Sequence, residues 1–292
     1  MVTDSTASLP SPVVEEDVLA LVAVVPLRVL AGGLAADDGA AAAAAVGEAA
    51  GRGERLTTAR PAPDRFAAVY RAAADAGAGA VVSVHLPAEF SGTIASAELA
   101  AAASPVPVRV VDARTIGTGL GLAVLDAAMQ AAAGLGPDAI AASAGRFAER
   151  SGSFFALADQ DALLAGGRMQ APASFSAGHS FPREHGPAGA RLVSRPIMRI
   201  GSGHIEPVER VRTMAAAAER LAELASRFAG AEAVDVAVEH TAAASRAAEV
   251  ADRLKAVIPQ VRRNYVVASG MAILAHTGRG MLGVTVAPRL AE

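Results

Sequence analysis

The chain has 292 residues and a formal net charge of −3, which is enough for one or two domains with a sizeable core. Hydrophobic residues make up 52 % of the sequence and charged residues 19 %, a balance that excludes an intrinsically disordered chain. Cysteine is absent and aromatic residues are only 3 %, so disulfides, thiolate chemistry and cysteine metal sites are excluded, and a nucleic-acid partner is not expected.

No targeting or membrane segment is apparent. An acid, Asp4, stands where a secretory signal would carry positive charge, and the apolar stretch 18–36 is interrupted by Pro26 and Arg28. We therefore expect a soluble, cytoplasmic protein with no transmembrane segment.

Strands and helices alternate through the first half of the chain. Runs of β-branched residues predict strands over 2–3, 21–25, 80–85 and 106–111. Helices are predicted over 38–50, 64–76 with Asp64 as a cap, 93–103, 117–133 and 137–149. This alternation is typical of βαβ units, and it predicts an α/β fold with a mostly parallel, Rossmann-like N-terminal sheet.

The pattern changes near Ser151, which predicts an N-terminal α/β domain over 1–150 and a C-terminal α/β domain over 151–292. Strands are predicted over 154–157, 234–239, 261–267 and 284–286, with a hairpin formed by 197–200 and 204–205. Helices are predicted over 206–228 and 242–257. The segment 170–189 is rich in Pro, Gly, Ser and His and has no period, which is common for functional loops.

Several familiar sites are absent or in the wrong context. Lys255 is the only lysine and no glycine precedes it, so there is no Walker phosphate loop. The glycines of 278–283 match a dinucleotide fingerprint, but only a short strand follows, so a tight turn is expected instead. His179, Glu184 and His185 lack the helical spacing of a zinc protease. We therefore expect no cofactor and no metal.

Four polar positions lie where a ligand could reach them: Thr58, the turn 91–93, Arg168 and His276. The turn Ser91-Gly92-Thr93 begins a helix, where free backbone N–H groups favour an anion. Each position also has a plain explanation, since Ser91 could cap its helix, Thr58 could close a turn, and His276 could be a core histidine. Taken together they form a candidate carboxylate clamp of two hydroxyls, one guanidinium and one imidazole.

The order of short motifs along the chain resembles the DegV family of bacterial fatty-acid-binding proteins. The resemblance covers essentially the whole chain. It rests on Thr3-Asp4-Ser5-Thr6, Thr58-Ala59-Arg60-Pro61, Phe90-Ser91-Gly92-Thr93, Gly166-Gly167-Arg168, Arg195-Pro196-Ile197, Ile205-Glu206-Pro207 and His276-Thr277-Gly278-Arg279-Gly280.

The resemblance implies two α/β domains with a long-chain fatty acid buried between and within them. It implies that Thr58 and Ser91 bind the carboxylate, and that Gly92, Thr93, Arg168 and His276 form the surrounding polar network. It further implies a non-catalytic lipid carrier that presents its fatty acid to a separate ATP-dependent fatty-acid kinase, which makes an acyl-phosphate for phospholipid synthesis.

This sequence departs from the family pattern in three places: Ala59-Arg60 replaces Ser-Gln, Arg279 replaces a proline, and the segment 170–189 is longer and more polar. Two alternatives stay open. One is a hydrolase or transferase with Ser91 as nucleophile and His276 as base, although the Gly-x-Ser-x-Gly elbow is absent. The other is a protein that senses a different lipid or small acid and has no kinase partner.

Overall fold

A computed structural model describes residues 1–10, 16–158 and 195–290. The strands are β1 (Val2–Asp4), β2 (Ala23–Val25), β3 (Arg28–Ala31), β4 (Leu34–Asp37), β5 (Thr57–Ala59), β6 (Val81–His85), β7 (Val108–Asp112), β8 (Gly152–Ala156), β9 (Arg195–Gly201), β10 (His204–Val211), β11 (Val234–His240), β12 (Val261–Ala268) and β13 (Leu282–Pro288). The helices are α1 (Glu16–Ala20), α2 (Ala40–Gly51), α3 (Pro63–Asp75), α4 (Thr93–Ala101), α5 (Thr118–Ala132), α6 (Pro137–Glu149), α7 (Met214–Ala229), α8 (Ala244–Val257) and α9 (Met271–Thr277).

The N-terminal sheet is parallel and has the order β2-β1-β6-β7. Every residue of β6 is buried, as expected for a strand covered on both faces. Phe66 and Tyr70 of α3 pack against Val81 on one side, and Leu120 of α5 packs with Val84 on the other. The predicted α/β fold with a parallel N-terminal sheet is thereby confirmed.

The C-terminal sheet has the order β10-β9-β8-β13-β11-β12, and within it only β11 and β12 are paired in parallel. Leu221 of α7 and Leu254 of α8 are fully buried against its core strands. The domain boundary proposed at residue 150 falls in the short connection between α6 and β8.

A third, small sheet has the order β4-β3-β5 and packs with α2 through Val29 and Val46. A turn with positive φ at Gly32 and Gly33 joins β3 to β4, a conformation that glycine adopts at little cost. These three strands contain only three or four residues each, and the sequence pattern did not predict them. Strand β5 carries Thr58, so this small sheet positions one of the predicted site residues.

Two predictions about helix starts were wrong. The helix expected from residue 206 begins at Met214, because 206–211 belong to β10, and the Thr213 side chain caps the helix by accepting the N–H of Ala216 at 3.1 Å. Asp64 does not cap α3: the N-cap is Ala62, without a side-chain hydrogen bond, and Pro63 occupies the first helical position.

The segment 159–194, which includes Arg168 and the loop expected over 170–189, lies outside the described residues. Among the described residues, no helix combines the length and the apolar character needed to cross a bilayer.

Candidate functional site

A cavity is lined by residues of the C-terminal sheet, the small sheet and the ends of elements in the N-terminal half. Its volume is about 140 Å³, roughly ten times the 10–15 Å³ that one water requires on the same measure. Phe155, Ile200, Ile273 and Met281 form one apolar cluster that contributes to its wall. The cavity therefore suits a ligand that is largely apolar.

Thr58 and His276 meet beside this cavity and both line it. Thr58 is 4 % exposed, and its Oγ1 lies 2.9 Å from Nε2 of His276. The pairing of β5 with β3 places the threonine, and the last turn of α9 places the histidine. Hydroxyl and imidazole together can hold an oxygen of an anionic group.

Ser91 also lines the cavity, and it precedes α4 at the end of the loop that follows β6. Its Oγ lies 2.8 Å from Oγ1 of Thr93, a fully buried residue. The N-cap of α4 is Gly92, without a side-chain cap bond, so the interpretation of Ser91 as a helix cap is wrong. The structure thus brings Thr58, Ser91 and His276 to one cavity.

Arg60 and Gly92 contact each other. The guanidinium of Arg60, a solvent-exposed residue, lies so close to Gly92 that a methyl group there would collide with its Nη1. The arginine that departs from the family pattern therefore brings a positive charge next to the turn that carries Ser91.

The glycines at 278 and 280 lie in a turn, as expected, and Gly283 lies in β13. Gly278 and Gly280 have φ values of 69° and 86°, and β13 follows directly where a dinucleotide motif would begin a helix.

Asp38 connects the small sheet to α9. Its Oδ1 accepts the N–H of Met271, in the first turn of that helix, at 2.9 Å. Burial raises the pKa of Asp38, while hydrogen bonds from Ser5 and from the backbone of Ala272 and Met271 lower it. The sequence pattern predicted no helix over 271–277, so it missed both α9 and the residue that holds its start.

Asp4 organises part of the cavity wall. Its Oδ1 accepts hydrogen bonds from the N–H and the hydroxyl of Thr6 at 3.0 and 2.5 Å, and its Oδ2 accepts the N–H of Leu86 at 3.1 Å. Nδ1 of His85 lies 3.0 Å from the same Oδ2, and Nε2 of His85 lies 2.7 Å from the hydroxyl of Ser83. Because Thr6 and Leu86 line the cavity, this buried network fixes their positions.

Glu239 is a buried acid in the cavity wall, at the end of β11. Its Oε1 accepts the hydroxyls of Ser8 at 2.5 Å and Ser269 at 2.8 Å, and its Oε2 accepts the N–H of Thr118 at 3.0 Å. Burial raises the pKa of Glu239, and these three donors lower it. The sequence pattern did not reveal this residue, although an acid directly after the apolar residues 236–238 of a predicted strand is the kind of signal that could have found it.

Three hydroxyls form a hydrogen-bonded group that is joined to Glu239 through the backbone N–H of Thr118, and we call them the hydroxyl row: Ser153, Thr285 and Thr118. Oγ1 of Thr285 lies 2.8 Å from Oγ1 of Thr118 and 3.0 Å from Oγ of Ser153. Ser153 and Thr285 are directly opposite each other in neighbouring strands, and both line the cavity.

Within the described part of the chain, no group of three or more His, Cys, Asp or Glu side chains could hold a metal ion. His179, Glu184 and His185, weighed above as metal ligands, lie outside that part.

A family model described as "Uncharacterised protein, DegV family" matches residues 1–289. The chain belongs to the DegV family. A DegV domain-containing protein of Streptomyces coelicolor is 39% identical to it over 290 residues, which are 99% of this chain and 98% of that protein. One of Mycobacterium tuberculosis is 32% identical over 98% of this chain and 96% of its own length.

Two solved DegV structures are similar in fold and sequence. A DegV family protein from Thermus thermophilus, described by its fatty acid binding, has a TM-score of 0.84 and 28% identity, and covers 99% of this chain and 98% of its own. DegV of Bacillus subtilis, described as a fatty acid binding protein, has a TM-score of 0.79 and 25% identity over the same shares. The DegV resemblance predicted from the sequence is therefore confirmed.

Proposed function

We propose that this DegV protein binds a long-chain fatty acid in the cavity, with the carboxylate at Thr58 and Ser91. The observation that carries the proposal is that Thr58, Ser91 and His276, distant in sequence, line one largely apolar cavity. Two solved relatives of 25% identity or more that are described by their fatty acid binding, from Thermus thermophilus and Bacillus subtilis, support the same ligand class.

The physics of such a ligand divides its binding energy between tail and head. Each buried CH₂ contributes about 0.8 kcal/mol, so about 15 of them contribute roughly 12 kcal/mol before association and ordering costs. A buried carboxylate is costly unless it is hydrogen-bonded. The hydroxyls of Thr58 and Ser91, with the imidazole of His276 beside them, reduce that cost, and Arg168 is the further cation that the family resemblance assigns to this network. The tail thus supplies affinity and the head group sets the orientation.

The second part of the proposal is that the protein is a carrier and not an enzyme. Hydroxyl donors hold a carboxylate less strongly than a direct ion pair does. A carboxylate oxygen held in this way can attack the terminal phosphorus of ATP on a separate kinase, which forms an acyl-phosphate and releases ADP. The chain itself has no Walker phosphate loop.

Lipid occupancy tests the head-group site. Native mass spectrometry of gently purified protein should show a bound fatty acid, and the double variant Thr58→Ala/Ser91→Ala should retain at least about tenfold less after one wash, as expected for loss of hydrogen bonds to a charged group. Ser245→Ala, an exposed serine of α8, is the matched control. Equal occupancy in wild type and double variant would remove the proposed role of these hydroxyls.

Two assays test the carrier role. Purified protein with ATP should release no phosphate, whereas addition of a bacterial fatty-acid kinase subunit should yield acyl-phosphate, trapped as the hydroxamate. Because the observed partner of the Ser91 hydroxyl is Thr93 and Nε2 of His276 faces Thr58, we expect no labelling by a fluorophosphonate probe. Labelling of Ser91 would replace the carrier with a serine hydrolase or transferase.

A further inference from the structure

The hydroxyl row of Ser153, Thr285 and Thr118 has one hydrogen more than its mutual bonds use. Three hydroxyls carry three hydrogens, and the two bonds among them use two. If Thr285 accepts from both neighbours, its own hydrogen stays unused. If it donates to Thr118, the hydrogen of Thr118 stays unused, and if it donates to Ser153, the hydrogen of Ser153 stays unused. In two of these three arrangements the remaining hydrogen belongs to a residue that lines the cavity.

The carboxylate of Glu239 is a hydrogen-bond acceptor close to the hydroxyl row. The two oxygens of a carboxylate offer about four acceptor positions, and Glu239 uses three of them within the described part of the chain. Among the residues that the structure describes, Oε2 accepts only the N–H of Thr118, and the hydroxyl of the same threonine bonds to Thr285. Thr118 therefore places the end of the hydroxyl row next to Oε2 of Glu239, the carboxylate oxygen with fewer hydrogen bonds.

The space in front of these groups is open to a ligand. Gly283 lies between Glu239 and Phe155 in the register of the sheet, and it has no side chain to fill the cavity. Thr285 is two residues further along the same strand, so it lies on the same face of the sheet as Gly283. A tail that crosses Gly283 passes both Glu239 and the hydroxyl row.

A saturated tail has no hydrogen-bond donor or acceptor, so it can bond neither to the unused hydroxyl hydrogen nor to Glu239. A buried hydroxyl hydrogen without a partner is unfavourable. A hydroxyl group on the tail offers both a donor and an acceptor: its oxygen can accept from Thr285 or Ser153, and its hydrogen can be donated to Glu239, which lines the same cavity. We propose that the cavity contains a second polar subsite, formed by Ser153, Thr285 and Glu239, that selects fatty acids with a hydroxyl group in the chain. This inference rests on the proposed function, because it requires a fatty acid in the cavity.

Competition between stearate and a panel of mid-chain monohydroxystearate isomers tests the subsite. Delipidated protein is incubated with equimolar mixtures and the bound acid is identified by mass spectrometry, for wild type, Thr285→Val and Ser153→Ala. We expect at least one isomer to bind about fivefold more tightly than stearate to the wild type, which corresponds to about 1 kcal/mol. At least one variant should bind the two acids equally while its affinity for stearate is unchanged or higher.

Retained stearate binding shows that a variant is folded and separates this subsite from the head-group site. If no isomer exceeds stearate on the wild type, or if the preference persists in both variants, the subsite is refuted while fatty-acid binding stands. If neither acid binds to the wild type, the proposed function fails and this inference fails with it.

Discussion

The hydroxyl of Thr58, on the small sheet, lies 2.9 Å from Nε2 of His276, at the end of α9, although 218 positions separate the two residues. The contact joins β5 and α9, which are far apart in the sequence. It lies at the place where we propose that the carboxylate binds. Thr58 can donate its single hydrogen to a ligand when Nε2 of His276 carries a proton and donates it to the threonine oxygen. The site is therefore a property of the packing between the small sheet and α9.

We first predict that Thr58→Val weakens fatty-acid binding about tenfold to a hundredfold. The change removes a hydrogen bond to a charged group, which contributes about 1.5–3 kcal/mol, while the side-chain volume is almost unchanged. Thr58→Ser keeps the hydroxyl and should stay within about threefold of wild type on the same scale. Equilibrium binding of palmitate to delipidated protein measures both, and equal affinities of the Val and Ser variants would contradict the role of the hydroxyl.

Arg60 leads to a second prediction, which concerns ionic strength. Its guanidinium lies against Gly92 and is exposed, so it attracts the carboxylate through solvent and is screened by salt. Arg60→Gln should reduce affinity about twofold to fivefold at low salt and have almost no effect near 1 M salt. Arg71→Gln, an exposed arginine of α3, is the control for net charge. A salt-independent loss in the Arg60 variant would show that its contribution is steric.

A third prediction concerns Asp38, which holds the start of α9 through the N–H of Met271. Asp38→Ala should lower the free energy of unfolding by about 0.5–2 kcal/mol, as for other lost helix caps, and should weaken palmitate binding because His276 belongs to the same helix. Asp38→Asn keeps an oxygen acceptor and should restore binding. The ¹H–¹⁵N signals of the His276 ring should shift in Asp38→Ala and return to their wild-type positions in Asp38→Asn. Unchanged signals in both variants would show that the contact at the start of α9 does not position His276.

Glu239 leads to a fourth prediction, on pH. Burial raises the pKa of this carboxyl above its ordinary value of 4.5, so the folded chain binds the proton more tightly than the unfolded chain does. The stabilisation from this group is complete below about pH 4.5, and it is lost as the pH rises through the folded-state pKa. The free energy of unfolding, measured with urea, should decrease more between about pH 5 and about pH 8 for wild type than for Glu239→Gln. Parallel pH profiles would mean that the carboxyl titrates alike in both states.

The sequence predicted the parts of the fold that depend on local pattern. Buried strands such as 81–85 are rich in valine, and the helices 118–132 and 137–149 are alanine-rich segments that follow a glycine, so the local pattern was sufficient. The small sheet was missed because strands of three or four residues are too short to show a period. The helix predicted from residue 206 was wrong because the edge strand 204–211 tolerates Pro207 and carries a bulge there.

The same distinction applies to the site. Thr58, Ser91 and His276 are candidates that the family motifs mark, and the structure brings them to one cavity. Asp4 and Glu239 were missed because their importance comes from contacts over long sequence separations, such as 81 positions to His85 and 231 positions to Ser8. No local pattern contains such contacts, so they require coordinates.

The last prediction uses Gly283 to measure how far the tail extends. A methyl group at this position would lie 3.6 Å from Cβ of Glu239 and 3.7 Å from Sδ of Met281, which are ordinary contacts, so Gly283→Ala should fold and bind normally. The larger side chain of Gly283→Ile must occupy the cavity itself. It should weaken stearate binding by about 0.8 kcal/mol for each CH₂ that it displaces, and the co-purified acids should shift to shorter chains. Mass spectrometry of the extracted lipids, with Gly283→Ala as the control, measures the shift. An unchanged lipid profile in a folded Gly283→Ile variant would show that the tail follows a different path from the one across Glu239 and the hydroxyl row.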